Sequence, residues 1–249
     1  MSSLCSLLRK MSSTSLEYEG TGLLSRTVSI LFSMEQPESR DLTFVSFDEF
    51  VSLIFTPAEQ VKPDAPLPGV NVETDAKRLC AYYVQLFQNP EFLLSRFTKQ
   101  ELEQGFWEIM GYHHDWSLGE LIEYSGAPLS SRKECIESMA VLFERFFASK
   151  PLDTSVHMWW DSLCYDWHCG NRKRERGGED LELQNIFFQT LSKILAIDSW
   201  ICQGAALHGM GHLHHPQTKE IVDRYIDENP SLTTEQKAYA LAAAEFKVL

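Results

Sequence analysis

The sequence predicts a nearly all-α protein, an irregular antiparallel helical stack of the α-α superhelix type with HEAT-like hairpins at its C-terminal end. Three observations predict it. From residue 72 onward, apolar residues recur at spacings of three and four rather than two. Helix-start signatures punctuate that pattern at Thr98-Lys-Gln-Glu101 and Ser131-Arg-Lys-Glu134. In the last third the linkers between helical segments are two to five residues long, which forces consecutive helices to pack antiparallel.

Taken in order, residues 1–33 are Ser-rich without sustained periodicity and read as a flexible tail. Met34 or Met11 is then the expected start of translation. Segment 34–71 holds one short apolar run, in which Phe47, Phe50, Val51 and Ile54 are spaced for a short helix. Residues 43–46 also suit a strand. The four prolines of 57–69 make a linker. The helical domain spans 72–249. Its first helix, about 73–88, carries Ala76, Leu79, Cys80, Tyr83, Leu86 and Phe87 on one stripe. A short helix from Pro90, a helix from Thr98 to about Met110, a turn at 111–115 and a short helix at 116–124 follow. Ser131 is expected to cap a helix to about Phe147. One continuous helix is expected over 155–168, with Trp159, Trp160 and Trp167 as core anchors. The basic residues of 169–180 read as a solvated loop, with anion binding as the alternative. Final helices are expected at about 180–196, 199–214, 217–228 and 234–248, the second capped by Asp198 and the last by Thr233 or Thr234.

The net charge of −13 disfavours binding to phosphate backbones and is compatible with a basic protein partner. No apolar run is long enough for a membrane span. The six scattered cysteines fit buried thiols and a cytoplasmic protein better than a disulfide framework.

Residues 204–226, GAALHGMGHLHHPQTKEIVDRYI, resemble a HEAT-type (armadillo-type) helical repeat. Gly204, Ala205, Ala206, Gly209 and Gly211 make a small-residue first helix, and Ile221, Val222, Tyr225 and Ile226 give the second its aliphatic stripe. The chain is also similar to uncharacterised bacterial proteins with a small-residue, His-rich C-terminal helix. The resemblance covers about 198–249 and implies a helical stack that offers a broad surface to a protein partner.

His208 and His212 lie one helical turn apart, the spacing at which two imidazoles share a metal. Gly209 stands where a zinc protease helix of the H-E-x-x-H kind places its glutamate base, so that chemistry is not implied. Packing of both histidines inside an apolar helix is the default expectation. His214 and His215, at the helix end, suit the negative pole of the helix dipole. His157 and Asp161 are expected to pair on one helix face. They and His168 do not form one metal site, because eleven residues of helix separate His157 from His168 by about 16 Å.

The expectation is therefore a non-enzymatic protein-interaction module, of the adaptor or toxin-immunity kind, with no catalytic residue and no cofactor assigned. Two alternatives stand beside it: a metal-dependent enzyme using His208 and His212, and a structural subunit of a larger assembly.

Overall fold

Every described residue belongs to one compact unit, Glu38–Leu249. The computed structural model describes residues 45–56, 75–110, 116–123, 126–150, 152 and 154–248. The Ser-rich segment 1–33, the Pro-rich stretch 57–69 and the turn at 111–115 lie outside the described residues.

The described residues are helical, without a strand. The helices are α1 (Phe47–Phe55), α2 (Ala76–Gln88), α3 (Leu93–Arg96), α4 (Lys99–Met110), α5 (Leu118–Glu123), α6 (Leu129–Leu142), α7 (Ser155–Met158), α8 (Asp161–His168), α9 (Gly178–Leu195), α10 (Trp200–Leu213), α11 (Thr218–Glu228) and α12 (Thr234–Ala244). Among them, no helix is long and apolar enough to cross a membrane.

Local chemistry accounts for several of the starts. The Thr98–Glu101 capping box forms, with the Thr98 N–H and hydroxyl both donating to the Glu101 carboxylate. Thr233 and Gln236 cap α12 in the same way. Ser46 and Glu49 make a further box that opens α1, so residue 46 is a helix cap rather than strand. The proposed Ser131 cap does not form. Helix α6 begins at Leu129, directly after Pro128, whose carbonyl accepts from the Ser131 and Arg132 N–H groups. The cap of α10 is Ser199 rather than Asp198, and its side chain makes no capping bond.

The largest departure lies at 155–168. The expected single helix is two, broken at Trp159 and Trp160. Both indoles are fully buried. Adjacent residues on a straight α-helix point about 100° apart, so two neighbouring Trp side chains rarely share one narrow face. The break lets both enter the core. Trp159 packs against Phe87, Phe106, Phe143 and Phe147, while Trp160 stacks on Phe143.

Helix α10 sits at the centre of the C-terminal half, in contact with α7, α8, α9, α11 and α12. From Gly204 to Leu213 every residue is buried. Gln184 of α9 donates to the Leu213 carbonyl, and Leu191 lies against Gly209, so α9 and α10 run antiparallel. Tyr225 of α11 donates to Gln203, closing the antiparallel hairpin of α10 and α11 at its far end. The small residues act as expected. A Cβ on Gly209 would come within 2.7 Å of the Trp160 ring, and one on Gly211 within 2.3 Å of Val248. Gly204 is different, since its nearest neighbour, Trp200, would lie at 3.8 Å, an ordinary contact.

Cys80, Cys135, Cys164 and Cys202 are free and buried, as expected of packed thiols. Cys169 departs from that expectation and is disulfide-bonded.

The glycine geometry predicts opposite outcomes for two similar substitutions. Gly209→Ala is expected to destabilise the fold by about 1–3 kcal/mol, because the base of the Trp160 side chain has no room to yield. Gly204→Ala is expected to be neutral or to stabilise by up to about 1 kcal/mol, through helix propensity alone. Urea unfolding of the two variants beside the parent measures both.

Candidate metal centre

The break at Trp159–Trp160 places Asp161 at the first position of α8, where a carboxylate suits the positive end of a helix. It also aims that carboxylate at α10. Asp161 Oδ1 lies 2.5 Å from His208 Nε2 and 3.3 Å from His212 Nε2, and the two Nε2 atoms are 3.2 Å apart. All three ligand atoms fall within 4.8 Å of one another. Asp161 therefore spends its charge on α10 rather than on His157, its expected partner. His157 instead lies beside the His208 ring, with centroids 4.9 Å apart.

The three groups differ in exposure. His208 and His212 are buried, whereas the Asp161 side chain keeps 30% of its surface in solvent and His157 is exposed. The arrangement is a polar floor inside an apolar helix with one outward-facing member. Burial acts to raise the Asp161 carboxyl. The hydrogen bonds from His208 and His212 outweigh it and hold that carboxyl well below the usual carboxylate range. Asp161 is thus an anion, ready to accept hydrogen bonds or to bind a cation.

A second layer orients the first. His208 Nδ1 lies 2.8 Å from the Tyr239 hydroxyl on α12. The Tyr239 hydroxyl at Nδ1 and the carboxylate at Nε2 use both ring nitrogens and lock the ring plane. His212 is held less completely. Its ring packs edge-to-face against Tyr165 and His168, but its buried Nδ1 has no hydrogen-bond partner. Leaving such a group unsatisfied costs about 1–3 kcal/mol.

Histidines 214 and 215 leave the cluster. His214 adopts a left-handed backbone conformation, φ 55°, that ends α10. Its ring stacks on Phe246, and its Nε2 meets His168 Nδ1 at 3.2 Å. His215 stacks on Phe188 with centroids 3.9 Å apart, and its Nδ1 accepts from the Gln217 N–H. Burial, together with the nearby Arg174 guanidinium, lowers the His215 imidazole to about 4. His215 is therefore a neutral packed ring and not a charge placed on the helix dipole.

The basic loop is more than a solvated connection. Arg172 is nearly buried and binds Glu123 at 2.5 Å and Asp180 at 2.9 Å, with its guanidinium 5.7 Å from the Trp167 ring centroid. Arg132 and Glu179 extend the network at 2.5 Å. Sequence spacing does not disclose these pairs, since Glu123 and Arg172 are 49 residues apart. Asp161 was visible in the sequence beside His157, but its nearer partner on α10, His208, lies 47 residues away.

Comparison with protein-family models, with curated proteins and with solved structures finds no match for this chain.

The His215 environment carries a pH dependence of known sign. Its folded value lies below the ordinary histidine value of about 6.5, so the unfolded chain takes up the proton first on acidification. The stability due to neutral His215 is complete above about 6.5 and is lost as pH falls toward 4. Between pH 7 and pH 5, His215→Gln is expected to lose about 1–2 kcal/mol less stability than the parent, read by urea titration at each pH. In the ion network, burial pushes the Glu123 carboxyl up to about 8, so Arg172→Met is expected to leave it protonated at pH 7 and to cost about 1–3 kcal/mol through the lost hydrogen bonds, read by urea unfolding.

Proposed function

We propose that the protein binds one divalent transition-metal ion through Asp161, His208 and His212, and that this ion is the centre of its activity. The observation that carries the reading is the convergence of two buried imidazole nitrogens and one carboxylate oxygen, from two helices, within 4.8 Å. Metal–ligand bonds of about 2.0–2.1 Å place neighbouring ligand atoms about 2.8–3.0 Å apart in octahedral and about 3.3–3.4 Å apart in tetrahedral geometry. The distances of 3.2 and 3.3 Å suit tetrahedral spacing, and the 2.5 Å contact needs to open by about 0.3 Å or more.

Two features support it. With Nε2 on a metal, His208 would donate its Nδ1–H to the Tyr239 hydroxyl, as metal-binding histidines donate to their outer partners. Three protein ligands leave coordination positions open, the arrangement of catalytic rather than structural sites, and Asp161 lies on the solvent-reaching side. Two imidazoles and a carboxylate suit zinc or ferrous iron. An open position on such an ion polarises a bound oxygen or lowers the pKa of a bound water. The absent glutamate at Gly209 excludes only the H-E-x-x-H arrangement.

The interaction-module reading rests on less. Trp107 and Trp200 are exposed, as interface anchors are, but they lie on α4 and α10, and no described contact joins them. The HEAT-like reading of 198–249 draws support from the antiparallel α10–α11 hairpin, and it is compatible with a metal at α10.

Full-length protein is to be loaded with Zn²⁺ or, anaerobically, with Fe²⁺, dialysed, and analysed for metal. About one equivalent is expected, falling below roughly a tenth in Asp161→Asn and in His212→Ala, with His214→Ala unchanged. Saturation is also expected to raise thermal stability, by about 2.7 kcal/mol at a hundredfold excess over the dissociation constant. Metal well below stoichiometric in the parent, or equal content in the parent and Asp161→Asn, sinks the proposal.

A further inference from the structure

The loop that follows α8 closes one side of a cavity of about 530 Å³, within the size range of small-molecule sites. Trp167, His168, Lys173, Arg174, Gln184 and His214 line it, and Arg172 and Glu175 also reach it. The cavity adjoins the metal centre without including its ligands. His168 is the shared wall, lining the cavity while its ring packs against His212 at 5.1 Å between centroids.

The four basic residues of the loop divide into two kinds. Arg172 and Arg176 are occupied by acids, Arg172 by Glu123 and Asp180, and Arg176 by Asp180 at 3.5 Å. Lys173 and Arg174 are not. The Lys173 ammonium has neither a hydrogen bond nor an ion pair among the described residues, since its only bond is from its backbone N–H to Asp180. Arg174 Nη1 donates to the amide oxygens of Gln184 and Asn185, at 3.1 and 2.7 Å. Those bonds use both hydrogens of Nη1 and fix the guanidinium plane, but they neutralise no charge. The remaining edge, Nε–H and one Nη2–H side by side, has no acceptor among the described residues. That edge is the one that grips a carboxylate or phosphate with two parallel hydrogen bonds.

From this we infer that the cavity binds a small organic anion, a carboxylate or phosphate held by the free edge of Arg174 and the ammonium of Lys173. Glu175 is the one carboxylate on the cavity wall outside the Arg172 network, so two unneutralised cations face a single anion. In a chain of net charge −13, a cavity with that balance is a local reversal of sign. Gln184 is itself fixed, with its amide N–H donating to the Leu213 carbonyl, so the cradle of Arg174 is anchored on both α9 and α10. His168 and His214 border the same space, joined to each other by the 3.2 Å contact between His214 Nε2 and His168 Nδ1.

The inference does not depend on a metal at the neighbouring centre, and the experiment separates the two. Inorganic phosphate and succinate are titrated by calorimetry, at low salt, into full-length protein stripped of metal with a chelator and then freed of the chelator. Saturable binding of at least one probe is expected, weakened about tenfold or more in Lys173→Glu and in Arg174→Gln. Preference for phosphate or for succinate assigns the ligand class. Lys173 is exposed and its side chain unpaired, so Lys173→Glu is expected to keep the parent melting temperature and to decide the matter if Arg174→Gln folds poorly. No saturable binding of either probe up to about 10 mM, or equal affinity in parent and Lys173→Glu, overturns the inference.

Discussion

The C-terminal half of this protein depends on the burial of α10 on every side while it carries two imidazoles. An apolar environment penalises a polar side chain unless a partner meets it. The small residues of α10 draw α8, α9 and α12 close enough to exclude water, and the same closeness obliges those neighbours to supply the partners. Asp161 and Tyr239 do so for His208. His212 receives less, with one ring nitrogen left unpartnered. A cluster that is anionic at one member, buried at two and incompletely satisfied is better suited to a cation than to simple packing.

The aromatic core and this polar cluster are two consequences of one chain break. Trp159 and Trp160 both enter the apolar interior, which a straight helix resists. Relief of that conflict ends α7 and begins α8 at Asp161. The carboxylate thus gains its position from the packing of its neighbours rather than from a motif of its own. Gly209 repeats the theme, because the residue that removes a catalytic base from the H-E-x-x-H pattern is the one that admits the Trp160 ring.

Charge is partitioned in the same economical way. Buried arginines are matched with acids in the Arg172 and Arg132 network, which ties α5, α6 and the loop before α9 together. Two cations without an acid partner, Lys173 and Arg174, meet at one cavity beside the histidine cluster. The proposed metal centre and the inferred anion site lie on either side of His168, and each stands on separate observations.

Local interactions were legible in the sequence, and long-range ones were not. The helical class, the Thr98 and Thr233 caps, the tryptophan anchors and the close approach at Gly209 all follow from periodicity, capping chemistry and residue size, which act within a few residues. The spacing of His208 and His212 was visible for the same reason. Their carboxylate was not, because a helix-face argument assigned Asp161 to His157, four residues away, and the break between them was not foreseen. Helix propensity is worth tenths of a kcal/mol per residue, and burial of two indoles is worth several, so packing overrode the local pattern. The sequence by itself determined which segments are helical and which faces are apolar. Only the tertiary structure decided that Asp161 meets α10 and that Arg174 keeps a free edge, because both depend on groups far apart in the chain that are brought together by the burial of their neighbours.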